Sequence, residues 1–434
     1  MNDEGHVKRR EIRGLSSRRV RVFDPQEVTS MGPDEVDPRS VGLRRADVES
    51  IWGAVVDFYK TGFHPALGLC VRRRGEVILN RVIGHSRGNS PIDAKGAELV
   101  PATTNTLFNF FSGSKSVTAM LIHLLAERDQ LHVDEPVATF IPEFARNRKQ
   151  RITIRDLLTH RGGIPAAPTD VADIDMLRDP QRILEMIYEL EPSYRPGTVP
   201  AYHAVTSGFI FAEIVQRITS DDIRSFLRKE ISEPLGMDHF NYGLPKERLD
   251  DAARDACTGP RLIWPIKDIF KRSLGISVEE LIELSNDPRF RTGIIPSANL
   301  FGTAADICRF FEVLVAGGSH QGTRVFSEST VRRAVTPQTP GQVDRMIFLP
   351  MSYSMGFMLG TEPLGLYGFR AGRAFGHVGL SNILAWADPD RDISVALMNS
   401  GKPFFAIDTA YWPEIIRRIS TRIPRDGSRF AFDT

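Results

Sequence analysis

Four β-rich runs sit at opposite ends of this chain, and that separation constrains the fold more than any other feature. Near the amino end, ALGLCVRR and EVILNRVIG are joined by Arg74 and Gly75, the pattern of a tight hairpin. Near the carboxyl end, GLSNILAWADPDRDISVALMNS carries two more such runs, separated by Asp388, Pro389 and Asp390. The intervening sequence is mostly helical in period. From Ser114 to Arg128, Val117, Met120, Leu121, Leu124 and Leu125 follow the i, i+3, i+4, i+7 rule. Further helices are expected over Arg44–Tyr59, Val205–Ile218, Ala304–Val315 and Ala410–Ser420. Thr153 and Asp156 form a capping-box pattern ahead of a short helix that Gly162 and Gly163 should stop. Strands from both ends with helices between them imply a discontinuous α/β unit and a helical unit, with a cleft between the two as the expected site.

Composition narrows the function classes. With 434 residues, 41% of them hydrophobic and 25% charged, the chain buries a large core. Fifty-five basic residues against 54 acidic ones give no field that selects nucleic acid. Cys70, Cys257 and Cys308 are far apart and lack metal-ligand spacing, so neither a disulfide framework nor a zinc site is expected. No secretory h-region or spanning-length apolar run appears, which favours a cytoplasmic location. Between Lys8 and Arg21 stand seven basic residues and one acidic residue. That run is expected to be a solvated flexible extension over 1–42, with anionic lipid or nucleic acid as the alternative contact.

Two serines compete as nucleophile. GHSRG, Gly84–Gly88, matches the Gly-x-Ser-x-Gly elbow, which needs a strand, a sharp turn and then a helix. Asn89, Ser90 and Pro91 do not start a helix promptly, so Ser86 reads as a turn residue. FSGSKS instead places Ser112 and Lys115 three apart at a helix mouth, on one face. There the helix amino terminus stabilises developing negative charge, and a desolvated lysine loses its proton near neutral pH.

Five segments taken together resemble the serine β-lactamase-like superfamily: FNFFSGSKSVTAM, LHVDEPVATFIPEF, ITIRDLLTHRGGIP, PGTVPAYHAVTSGFIFAEIV and FGHVGLSNILAW. This superfamily includes class C β-lactamases, D-alanyl-D-alanine carboxypeptidases and family VIII carboxylesterases. The resemblance spans about residues 45 to 420. It implies a mainly antiparallel sheet flanked by helices, with the sheet part over 43–110 and 300–434, and an inserted all-helical part over 111–299. By that match Ser112 is the acylated serine, and Lys115 and Tyr202 move its proton. His377 and Gly379 form the third motif, and the backbone N–H groups of Ser112 and Leu380 form the oxyanion hole. His160 is read as a capping and packing residue. Met346, Met351, Met355 and Met358 are read as a core strand, with an acyl pocket as the alternative.

Departures from the family pattern bear on substrate. Ala204 stands where β-lactamases have an asparagine, and His377 replaces a permanently charged lysine. Both changes favour neutral small-molecule esters hydrolysed without metal or organic cofactor. The alternatives are β-lactamase or D-alanyl-D-alanine carboxypeptidase activity, acyl transfer from the same acyl-enzyme, and a non-catalytic binding or scaffold role. Oligomeric state is not encoded in any motif found.

Overall fold

The structure is a computed structural model that describes residues 18–166, 174–262, 267–268, 271, 275–404 and 411–427. Its centre is an antiparallel sheet of eight strands. In chain order these are β1 (Thr29–Met31), β2 (Ala66–Arg73), β3 (Glu76–Arg87) and β4 (Val100–Pro101). They are followed by β5 (Met358–Leu359), β6 (Phe375–Val378), β7 (Leu384–Asp388) and β8 (Ile393–Asn399). The spatial order is β1-β3-β2-β8-β7-β6-β5, with β4 on the far end of β3. Strands from the two ends of the chain therefore meet in mid-sheet, where Ala396 faces Cys70 and Leu397 faces Leu69. At the β2–β3 turn Arg74 and Gly75 both have positive φ, 53° and 86°, the backbone of a two-residue hairpin turn.

Both faces of this sheet are covered, which explains the continuous apolar runs. Leu67, Leu69, Val71, Val395 and Leu397 point to a layer built by α1 (Arg45–Tyr59) and a carboxyl-terminal helix, Tyr411–Arg422. Residue 410, the expected start of that last helix, lies outside the described residues. Cys70, Val82, Ala396 and Met398 point the other way, into the larger core. That core also receives α2 (Ser114–Glu127), α3 (Ile154–Leu158), α4 (Thr206–Thr219) and α5 (Ala304–Val315). Small residues on the second face let α5 close in, with Cys308 Sγ 3.2 Å from Ser394 Oγ. Cys70, Cys257 and Cys308 are all free thiols.

Four expectations need correction. Residues 1–17 lie outside the described set, but 18–42 are no flexible extension. β1 pairs with β3, and Glu35 meets the buried Arg81 at 2.9 Å. Ser86 is a strand residue beside a β-bulge rather than a turn residue, because β3 runs on to Arg87 and pairs there with β4. Helix α3 has the expected capping box, but it stops at Thr159 ahead of His160, whose φ is 57°, before either glycine is reached. The methionine-rich segment is mostly irregular, with only Pro350–Met351 and Met358–Leu359 in short strands. Met355 and Met358 are nonetheless buried.

Candidate active site

The turn that delivers Ser112 is tied at several points before α2 begins. Phe110 N–H donates to Leu300 O at 2.8 Å, and Phe111 N–H to Asn109 Oδ1 at 3.0 Å. Ser114 Oγ donates to Phe111 O at 2.5 Å and accepts from Leu300 N–H at 3.0 Å. These bonds hold Phe111 at φ 46°, a left-handed conformation that an aromatic residue keeps only when its surroundings over-determine it. Ser112 follows, half-buried, one turn before Lys115.

Lys115 has two neutral partners. Its amine donates to Ser112 Oγ at 3.3 Å and to Ser297 O at 2.9 Å. Burial, with no carboxylate bonded to it among the described residues, brings its pKa down to about 7. The Ser297 carbonyl is in place because α4 has a glycine where it crosses that segment. A Cβ on Gly208 would fall 2.1 Å from Ser297 Oγ and 2.7 Å from its N.

Tyr202 lies four residues ahead of the first residue of α4, in the segment that leads into that helix. Lys115 Nζ stands 5.1 Å from its ring centre. Burial pushes the phenol well above its ordinary pKa; a hydrogen bond with Ser112 works against that shift, and the Asp344 carboxylate adds to it. The hydroxyl therefore stays protonated, and a phenolate base is disfavoured. Backbone bonds fix the segment: Tyr202 N–H donates to Asp344 Oδ1 at 3.3 Å and Arg345 N–H to Pro200 O at 2.9 Å. The second oxygen of Asp344 accepts from Tyr353 Oη at 2.9 Å.

Histidines line the other side, and burial keeps them neutral. His377, on β6, has a pKa lowered to about 3 by burial and then by Lys115. Its Nδ1 lies 2.8 Å from Val378 O, which fixes the proton there and leaves Nε2 as an acceptor. His160 sets its ring 4.6 Å from that of Tyr202, tilted, and 5.0 Å from that of Tyr353, edge-on, and its Nδ1 accepts from His203 N–H at 3.2 Å. It packs, as the sequence suggested, but Thr159 and not His160 caps α3, and the imidazole forms a wall of the site.

Gly379 follows β6 and lies against the nucleophile's turn. A Cβ there would stand 2.7 Å from Phe110 O, so only glycine lets the two backbones touch. Leu380 comes next, then Ser381 and Asn382 with φ of 51° and 65°. Ser112, Lys115, Tyr202, His377 and Gly379 thus converge on one place. Ser86 does not join them; it is buried in β3 and donates to Val100 O at 3.3 Å. Sequence reading missed Asp344 and Ser297, because both act on the site from distant loops without periodic signature. Among the described residues no cluster of His, Cys, Asp and Glu fit to hold a metal ion occurs. No described helix is long and apolar enough to cross a membrane.

Comparison with known proteins gives the family and the fold. The chain is 27% identical over 330 residues to the esterase/β-lactamase LipL of Mycobacterium tuberculosis (strain ATCC 25618 / H37Rv), covering 71% of this chain and 72% of that protein. A penicillin-binding protein homologue from Caulobacter crescentus superposes with a TM-score of 0.73 at 25% identity, over 88% of this chain and 99% of the other. A family VIII carboxylesterase gives the same TM-score at 23% identity, over 86% and 98%, a likeness of fold. The β-lactamase family model matches residues 54–415, and the chain belongs to that family of serine hydrolases.

Proposed function

We propose that the protein is a serine carboxylesterase acting on neutral esters. The observation that carries this reading is the neutrality of the groups facing Ser112. His377 and His160 are held uncharged by burial, Tyr202 stays a phenol, and Lys115 sheds its proton near pH 7. None of these offers a fixed cation to a substrate carboxylate, and buried Ala204 offers no amide to a β-lactam or peptide. Exposed Val343, Phe348 and Leu349, on the same segment as Asp344, add apolar surface beside the Tyr202 strand of chain. The relative from Mycobacterium tuberculosis carries both names, esterase and β-lactamase, so its name is compatible with the ester reading without selecting it.

In this mechanism neutral Lys115 takes the Ser112 proton as Oγ attacks the ester carbonyl. The N–H groups of Ser112 and Leu380 receive the oxyanion; one such donor is typically worth about 3 kcal/mol in the transition state. The proton passes through Tyr202 Oη to the leaving alkoxide, and His377 Nε2 orients that hydroxyl. Water then releases the acid by the reverse proton path.

The test compares wild type, Ser112→Ala and Ser86→Ala on aryl esters of rising acyl length, beside a chromogenic cephalosporin. Expected are ester turnover far above cephalosporin turnover, near-complete loss in Ser112→Ala and retention in Ser86→Ala. Cephalosporin rates matching ester rates sink the substrate assignment. Product dominated by acyl transfer to an added alcohol sinks simple hydrolysis.

A further inference from the structure

A buried cation that the mechanism does not use lies behind the two turns of the oxyanion hole. Lys402 has no exposed side-chain surface and pairs with Asp255 at 3.1 Å. Its amine also donates to the carbonyl of Asn399 at 2.8 Å and to Asn399 Oδ1 at 3.0 Å. An ammonium has three donors and no acceptor, so these three oxygens saturate it. Because Oδ1 of Asn399 is held by the lysine, its Nδ2 is turned outward and donates to Ser381 O at 3.0 Å. Ser381 is the residue after Leu380. The same Lys402 amine stands 4.9 Å from the ring centre of Phe111, the residue before Ser112.

One side chain therefore reaches both flanks of the hole, directly at Phe111 and through a single amide at Ser381. Both flanking residues are left-handed and need support. Asp255 is itself held by Ser285 Oγ at 3.0 Å. A buried ion pair is a weak device for stability, since apolar replacements often do as well. It is a good device for geometry, because each partner has a defined number of bonds to satisfy.

We infer that Lys402, anchored by Asp255, is a positioning residue that sets the Asn399 amide and so aligns the backbone donors of Ser112 and Leu380. This rests on the esterase reading and its oxyanion hole. The test uses a matched pair of aryl esters, one with a carbonyl oxygen and one with sulfur in its place. Sulfur accepts hydrogen bonds weakly and gains little from the hole. Asn399→Ala leaves the Lys402–Asp255 pair intact. Lys402→Met combined with Asp255→Asn removes both charges, so neither partner is stranded.

Expected in both variants is a fall of about tenfold or more in kcat on the oxygen ester, KM within about threefold, and a thionoester rate within about threefold of wild type. Oxygen ester and thionoester falling by the same factor, or neither falling, overturns the inference while leaving the esterase reading intact. A wild-type enzyme inert toward the oxygen ester overturns that reading, and the inference with it.

Discussion

Lys115 donates to the hydroxyl of Ser112 at 3.3 Å and to the carbonyl of Ser297 at 2.9 Å, so one buried amine joins the start of α2 to a segment that crosses α4. This arrangement makes the lysine's protonation state depend on burial, since its partners among the described residues are neutral.

The first prediction concerns pH. With the Lys115 pKa lowered to about 7, the amine is a competent base above that pH and an ammonium below it. kcat/KM for a neutral ester should rise about tenfold per pH unit below 7 and level off above it. Lys115→Arg, which does not deprotonate, should lose at least about a thousandfold across the range. A flat profile from pH 5 to 9 would remove the lysine from the base role.

Gly208→Ala tests the crossing of α4. The added Cβ meets Ser297 Oγ and N, and the segment carrying the lysine's acceptor must move. Overpacking of this kind costs about 1–3 kcal/mol. Thermal unfolding should fall by several degrees and kcat by about tenfold or more. An unchanged kcat with a lowered melting point would mean that Ser297 has no part in placing the amine.

Acid lability follows from four buried histidines. His64, His203 and His377 have pKa values lowered to about 3, and His123 to about 4, in each case chiefly by burial. Unfolded, they take up protons near 6.5, so the unfolded chain binds more protons between roughly pH 4 and 6.5. Stability therefore falls as pH falls through that window, by up to ~1.4 kcal/mol per pH unit for each histidine. Calorimetry from pH 7 to 4.5 should record a midpoint lowered by roughly 10 °C or more.

Glu35→Ala tests the docking of residues 18–42. Arg81 is buried and divides its guanidinium between Glu35 and Glu49, with Trp52 5.8 Å away. Losing one carboxylate should cost about 2 kcal/mol, less than stranding the charge outright. The melting point should drop while KM for the ester stays put. A silent substitution would show that β1 holds the segment unaided.

Ser112 and Lys115 were legible in the sequence because a helix converts a spacing of three into contact. Both hairpins were legible because turn residues punctuate apolar runs. Tyr202 required the family pattern, since its approach to Lys115 depends on a carboxylate from residue 344 holding its backbone. The segment around that carboxylate misleads a pattern reader for the same reason. Met346 and Ile347 N–H groups bond to Asp344 Oδ1, so the backbone there coils around a side chain instead of joining a sheet. β1 escaped notice because three residues carry too little alternation to register.

The seam between β2 and β8 has a consequence for synthesis. On the ribosome, Ala66–Arg73 emerges long before its neighbour Ile393–Asn399, and until then one edge of a strand that is apolar from Ala66 to Val71 lacks its partner. The nascent protein must be shielded from self-association through most of its translation, and Gly379 reaches the nucleophile's turn only near the end. Activity should thus switch on in a single late step of chain growth rather than build up gradually.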